Sequence, residues 1–131
     1  MPDYIEGFSG FAVPDIDAAA TFYREVLGLV VKEDAGMLFL ELPGGAGVLV
    51  YPRPGTTPAA FTILNLAVPD LAKAVDDIVS RGAEMVRYDG FRHDERGIVR
   101  GGHGPDIAWT TDPAGTVIAL MERPEPVEGA A

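Results

Sequence analysis

The chain has 131 residues, with Lys+Arg 10 against Asp+Glu 20 for a formal net charge of −10, no cysteine, and 47% hydrophobic residues. That is one domain's length, enough to bury about two thirds of its unfolded surface, and it offers no thiol for disulfides, thiolate metal sites or cysteine nucleophiles. The acidic excess repels phosphate backbones and anionic lipid, which argues against nucleic acid and membrane surfaces as partners and favours a neutral or cationic small molecule.

No run reaches the roughly 18 apolar residues of a bilayer span, and Met1-Pro2-Asp3-Tyr4 lacks the basic and apolar regions of a signal peptide, so a cytoplasmic protein is expected. The 16 glycines and 11 prolines predict short strands and many turns. In chain order, an alternating run over residues 5–13 predicts the first strand. Asp15 follows Pro14 and precedes Ile16, Ala19, Ala20, Tyr23, Val26 and Leu27, whose spacings of three and four mark the buried stripe of a short helix ending at Gly28. Strands are expected at 29–32, 37–42 and 48–51, with a turn at Pro43-Gly44-Gly45. The prolines of 52–58 make a semi-rigid connection. The next strand is 61–68, followed by a helix carrying Leu71, Ala74, Val75, Ile78 and Val79 and ending at Gly82. Runs at 84–88, 97–100, 106–111 and 117–122 predict further strands, with Asp112-Pro113-Ala114-Gly115 as a turn, and 124–131 reads as a frayed tail.

One repeat organises this list. Phe11-Ala12-Val13-Pro14-Asp15-Ile16 recurs as Leu66-Ala67-Val68-Pro69-Asp70-Leu71 at an offset of 55 residues, and a repeat of this kind sets the architecture. The expected fold is α+β: one domain over 1–131 with two tandem βαβββ modules, 4–53 and 59–123, joined by a linker at 54–58. Asp15 and Asp70, each just ahead of a helical stripe, suit helix N-caps better than catalytic carboxylates.

The tandem modules, the element Val13-Pro14-Asp15-Ile16-Asp17 with Phe22-Tyr23 and Val26-Leu27-Gly28-Leu29, and the turn Asp112-Pro113-Ala114-Gly115 resemble the vicinal oxygen chelate superfamily. That superfamily includes glyoxalase I, bleomycin-resistance proteins and extradiol dioxygenases, and the resemblance spans residues 4–123. It implies mixed sheets that curl into a ligand-binding cup, and a homodimer. It leaves activity open, since isomerases, dioxygenases, epimerases, thiol transferases and metal-free drug binders share the fold.

The resemblance also implies where a metal would be held. The family's His positions fall on Phe8 and Ile63, and its last-strand Glu falls on Ala119, with Leu49 as the counterpart in the first half. None of these side chains offers a donor to a divalent metal, so no cofactor is expected. His93 and His103, the only histidines, lie in the Gly-rich region 89–105, where with Glu41 or Asp106 they would be the material for a displaced site.

Strand alternation then predicts the cup lining. Glu6, Phe8, Gly10 and Ala12 share one side, as do Phe61, Ile63, Asn65 and Ala67. Leu49 brings Tyr51, Ala119 brings Met121, and Phe39, Phe91, His103 and Trp109 complete an apolar and aromatic surface. Core packing and ligand contact account equally for Phe8, Leu49 and Ile63, whereas Trp109, Phe91 and Tyr51 lean toward contact. Glu6 on such a face would need an arginine from among positions 87, 92, 96 and 100. The expected function is sequestration of an aromatic or polycyclic natural product, as in antibiotic resistance. The alternatives are an enzyme using Glu6, Tyr51, His103 or Asp106 as acid or base, and a non-catalytic regulatory module.

Overall fold

The computed structural model describes residues 1–124. Two compact units divide the chain, Met1–Pro58 and a second beginning at Ala59. Each contains a four-stranded mixed sheet with a helix on one face. The expected tail lies, apart from Pro124, outside the described residues.

In the first unit, β1 (Ser9–Val13) leads into α1 (Ile16–Thr21), which continues as a π-helical turn (Phe22–Val26) before β2 (Val30–Asp34), β3 (Met37–Glu41) and β4 (Gly47–Pro52). The strand order is β1-β4-β3-β2, with β1 parallel to β4 and the other pairs antiparallel. α1 starts where it does because Asp15 is extended and its carboxylate accepts the Ala18 N–H at 3.1 Å, a cap worth about 1 kcal/mol. Ala19, Ala20, Phe22 and Tyr23 are buried, as are Phe11, Val13, Leu38, Leu40, Val48 and Val50 on the helix side of the sheet. Tyr23 meets Phe11 and Phe22 edge-on, with ring centroids 6.0 and 5.2 Å away. Phe22 is buried although the expected stripe leaves it out; it follows the buried Ala19 by three residues and so lies on the same side of the helix.

The second unit repeats the plan with β5 (Thr62–Val68), α2 (Leu71–Ser80), β6 (Met85–Val86), β7 (Ile107–Thr111) and β8 (Val117–Glu122), in the order β5-β8-β7-β6. Asp70 caps α2 through the Lys73 N–H at 3.1 Å, and Glu122 at the end of β8 takes the Leu71 N–H, also at 3.1 Å. Both Pro-Asp aspartates are therefore caps. Leu71, Val75 and Ile78 of α2 are buried along with Leu64, Ile118 and Leu120. In the turn after β7, the buried Asp112 accepts the N–H groups of Ala114 at 2.9 Å and Thr116 at 2.8 Å.

Three expected elements differ. The strand at 5–13 begins only at Ser9, which pairs with Val48 near the start of β4, so residues 5–8 have no ladder to join. The run 84–88 shortens to Met85–Val86. Residues 97–100 form no strand: Val99 alone bridges His93 and Ile107, and Gly97 and Gly101, at φ 89° and 75°, turn the backbone left-handed on either side.

Candidate functional site

Residues directly opposite one another in a ladder point to the same face, so the registers say which side chains share the face away from each helix. In the first unit Gly10, Leu49, Phe39 and Lys32 form one row across the sheet, Ala12 and Tyr51 lie in the next, and Gly47, Glu41 and Val30 lie on the other side. Phe39 is the centre of this face. Its ring lies over Gly47, where an added Cβ would overlap it, with ring Cε1 at 2.7 Å. Phe8 meets it edge-on at 5.8 Å. Lys32 and Glu41 form an ion pair at 2.6 Å, both largely exposed. Phe8 at 56% and Tyr51 at 37% leave this an open apolar surface.

In the second unit Asn65, Ala119, Trp109 and Val86 form the equivalent row, with Ala67, Met121 and Ile107 beside it. Trp109 thus stands in its sheet where Phe39 stands in the first. Unlike Phe39 it is roofed. Tyr88 packs edge-on against it at 5.2 Å, Phe91 lies tilted over it at 5.5 Å, and His93 closes a third side at 6.1 Å. Trp109 is only 9% exposed while Phe91, outermost, is 54% exposed.

The roof is a segment of irregular chain with polar fastenings. Tyr88 N–H donates to His93 Nε2 at 3.0 Å, and His93 Nδ1 lies 2.7 Å from the Gly97 carbonyl. Nε2 must therefore be the acceptor and Nδ1 the donor, which identifies a neutral ring with its proton on Nδ1. The Asp94 carboxylate accepts the N–H groups of Arg96 and Ile98, both at 2.9 Å, and meets Arg100 at 3.4 Å. Its partial burial pushes the carboxyl up, but the Ile98 and Arg96 amides and the Arg100 guanidinium outweigh that and hold it below the usual range. Arg96 reaches α2 through two bonds to Asp76, and that hydrogen bonding lowers the Asp76 carboxyl in turn.

Several proposed lining residues stand elsewhere. Glu6 lies outside any strand and is exposed, so it needs no arginine partner; Arg96 and Arg100 are held by Asp76, Glu95, Asp94 and Asp106. A bulge between Thr62 and Leu64 breaks the alternation there, so Thr62 opposes Val117, Ile63 is the extra unpaired residue, and Phe61, 68% exposed, precedes the strand. His103 sits in the exposed turn after Arg100. Both nitrogens of His93 are committed to the backbone, and Asp106 is paired with Arg100 at 3.0 Å, so neither is arranged for acid–base work. Sequence reasoning missed Tyr88 as a contact of Trp109. Its place shows only through the His93 and Val99 bonds, which have no local sequence pattern.

The model of the glyoxalase-like domain matches residues 10–121. The chain belongs to that family. Among curated proteins none matches it. Three solved structures similar to this glyoxalase-like chain illustrate the range. A bleomycin-binding protein complexed with bleomycin is 25% identical, with TM-score 0.66 over 92% of this chain and 99% of that one. An antibiotic binding protein from Streptomyces sp. CB03234 is 22% identical, with TM-score 0.64 over 95% and 100%. A glyoxalase-related enzyme from Fulvimarina pelagi is 15% identical, with TM-score 0.68 over 97% and 96%. All three share the fold of the vicinal oxygen chelate superfamily.

The registers also test the implied metal site. Leu49 opposes Gly10 and Ala119 opposes Asn65, which makes the two last-strand positions equivalent between the sheets. Phe8 precedes β1 and Ile63 is the bulge residue; none of Phe8, Leu49, Ile63 and Ala119, the positions the resemblance implies, carries a side-chain donor for a divalent metal. Among the described residues no group of three or more His, Cys, Asp or Glu is placed to hold an ion. No helix among them is long and apolar enough to cross a membrane.

Proposed function

We propose that this protein binds an aromatic or polycyclic small molecule on its aromatic sheet faces and holds it unchanged, a sequestering role of the antibiotic-resistance type. The observation that carries the reading is the equivalent placement of Phe39 and Trp109 at the centre of the two faces; the lack of donor side chains at Phe8, Leu49, Ile63 and Ala119, where the family resemblance implies a metal, supports it. Flat apolar side chains bind by stacking and by removing ligand surface from water, and they supply neither a nucleophile nor a proton. The likeness to antibiotic-binding structures supports the same reading. The net charge of −10 favours a neutral or cationic ligand. The setting proposed is the cytoplasm and the assembly a homodimer; a monomer in sedimentation would remove the second.

A cationic tricyclic dye, acridine orange, tests this. Titration followed by dye fluorescence is expected to saturate, with affinity falling by about 1–3 kcal/mol in each of Phe8→Ala, Phe39→Ala and Trp109→Ala. Mass spectrometry after long incubation should recover the dye unaltered, and a chelator should leave affinity unchanged. Equal affinity in all three variants would overturn the assignment of the faces, and a modified dye would overturn sequestration.

A further inference from the structure

The two faces differ in one respect that the binding reading leaves unexplained: the central aromatic of the first is open, while that of the second is covered by its own chain. We propose that residues 88–99 form a lid over Trp109, that neutral His93 is its latch, and that proton uptake by His93 opens it. The consequence for ligand access rests on the function proposed above; the latch itself does not.

The latch follows from the ring's two bonds. With Nδ1 donating to Gly97 and Nε2 accepting from Tyr88, the imidazole joins the two sides of the lid, and Phe91 lies between those sides in sequence. A proton can enter only at Nε2. It turns the acceptor into a donor that faces the Tyr88 N–H, a like pairing that cannot persist. The Gly97 bond survives and strengthens, because the ring is then charged. The ring therefore stays with Gly97, and the Tyr88 side, with Phe91, parts from Trp109.

Magnitudes favour opening. Leaving the Tyr88 amide without its partner shifts the closed-to-open ratio by about fivefold to a hundredfold. The opposing gain, a charged imidazole beside the rings of Trp109 and Phe91, is about twofold to fivefold at centroid distances of 6.1 and 6.4 Å. Other charges around the latch are occupied or remote in kind. Asp94, next in sequence, is saturated by the amides of Arg96 and Ile98 and by Arg100; Arg100 also holds Asp106 across the Val99–Ile107 bridge. Glu95 and Arg96 pair with each other, Arg96 also with Asp76 on α2, and Arg87 donates to the Glu95 carbonyl. Asp89 and Arg92 lie near Phe91 in sequence and are exposed, and the Tyr88 ring packs edge-on against Trp109. On β7 the group that faces His93 is Trp109, which does not titrate.

Trp109 is the sole tryptophan, so its quenching by acrylamide reads the lid without any ligand. The Stern–Volmer constant of the full chain should be small at neutral pH and rise about threefold or more on acidification, while far-ultraviolet dichroism is unchanged. His93→Gln keeps an acceptor for the Tyr88 N–H and takes up no proton, so its quenching should stay low and flat. Phe91→Ala should be strongly quenched at every pH. Amide exchange of Tyr88 in the wild-type chain, taken relative to its intrinsic rate at each pH, should accelerate on acidification over the same range as the quenching and keeps the test decisive if a variant fails to fold. Quenching that ignores pH, or the same transition in His93→Gln, overturns the latch. Acridine orange separates the two readings: a chain that opens but binds no dye keeps the latch and loses the binding function, and one that binds dye with pH-independent quenching does the reverse.

Discussion

Gly47→Ala is the substitution whose effects on stability and binding should part most clearly. Gly47 has an ordinary strand backbone, so alanine is conformationally permitted and by itself removes the entropic cost of glycine in a strand, about 0.5–1 kcal/mol. The new Cβ, however, overlaps the Phe39 ring, with Cε1 at 2.7 Å. Because the clash is with the far end of a rotatable side chain, the ring swings away and the backbone stays. That forfeits the edge contact with Phe8 at 5.8 Å, worth about 0.5–1.5 kcal/mol. The two terms nearly cancel, so urea denaturation should place the variant within about 1 kcal/mol of wild type. Affinity for acridine orange should nevertheless fall about fivefold or more, since the central ring of the face has moved. A double-mutant cycle isolates the cause. In a Phe39→Ala background the three atoms nearest the new Cβ, all of the Phe39 ring, are gone, and the same substitution should stabilise by its backbone share. If Gly47→Ala changes stability equally in both backgrounds, the ring does not cover the glycine and the description of this face is wrong.

Two further predictions concern the second unit. Asp112→Ala removes a buried acceptor of two backbone N–H groups at 2.9 and 2.8 Å and should cost about 2–4 kcal/mol in urea denaturation, with Asp112→Asn losing less; a loss below about 1 kcal/mol would show the turn to be held by its backbone alone. The Asp94 carboxyl lies below its ordinary value, so the folded state holds the ionised form. Its contribution is complete above about pH 4 and is lost as pH falls through the lowered value. Exchange of the Ile98 amide, taken relative to its intrinsic rate at each pH, should therefore accelerate only in that strongly acid range and should lose this dependence in Asp94→Asn. Acceleration already near neutrality would mean that Asp94 does not hold the segment.

The parts of the molecule legible in the sequence are those governed by local chemistry. Asp15 and Asp70 cap because a short carboxylate beside a helix start has free N–H groups within reach, and Asp112 anchors its turn for a related reason. Alternation correctly separates Phe11 and Val13 from Gly10 and Ala12 because β1 is paired along its whole length. It fails at Ile63, where a bulge adds a residue, and at Glu6, where the ladder has not begun. Pairing is decided by the partner strand, which no run of residues can announce. The roof over Trp109 was hidden for a related reason. Phe91 and Tyr88 arrive there through a histidine bonded to two backbone groups, at spacings that carry no periodic signal.

The π turn at Phe22–Val26 bears on how two repeated halves can differ in length. Gly28 lies thirteen positions after Asp15, whereas Gly82 lies twelve after Asp70. The additional residue is taken up inside the helix: Leu27 N–H reaches back to the Phe22 carbonyl, and the closing bond runs from Leu29 to Tyr23, where its counterpart runs from Ala83 to Ile78 over one residue fewer. Both glycines then turn the chain left-handed at the same structural point. A residue gained in a strand would have exchanged the inner and outer side chains of that strand unless a bulge absorbed it, as one does at Ile63. Gained here, it widens one turn, and Leu49 still comes to lie opposite Gly10 as Ala119 does opposite Asn65. The helix is one place where this fold tolerates growth, and the aromatic face of the first sheet keeps its order because the added residue fell outside the strands.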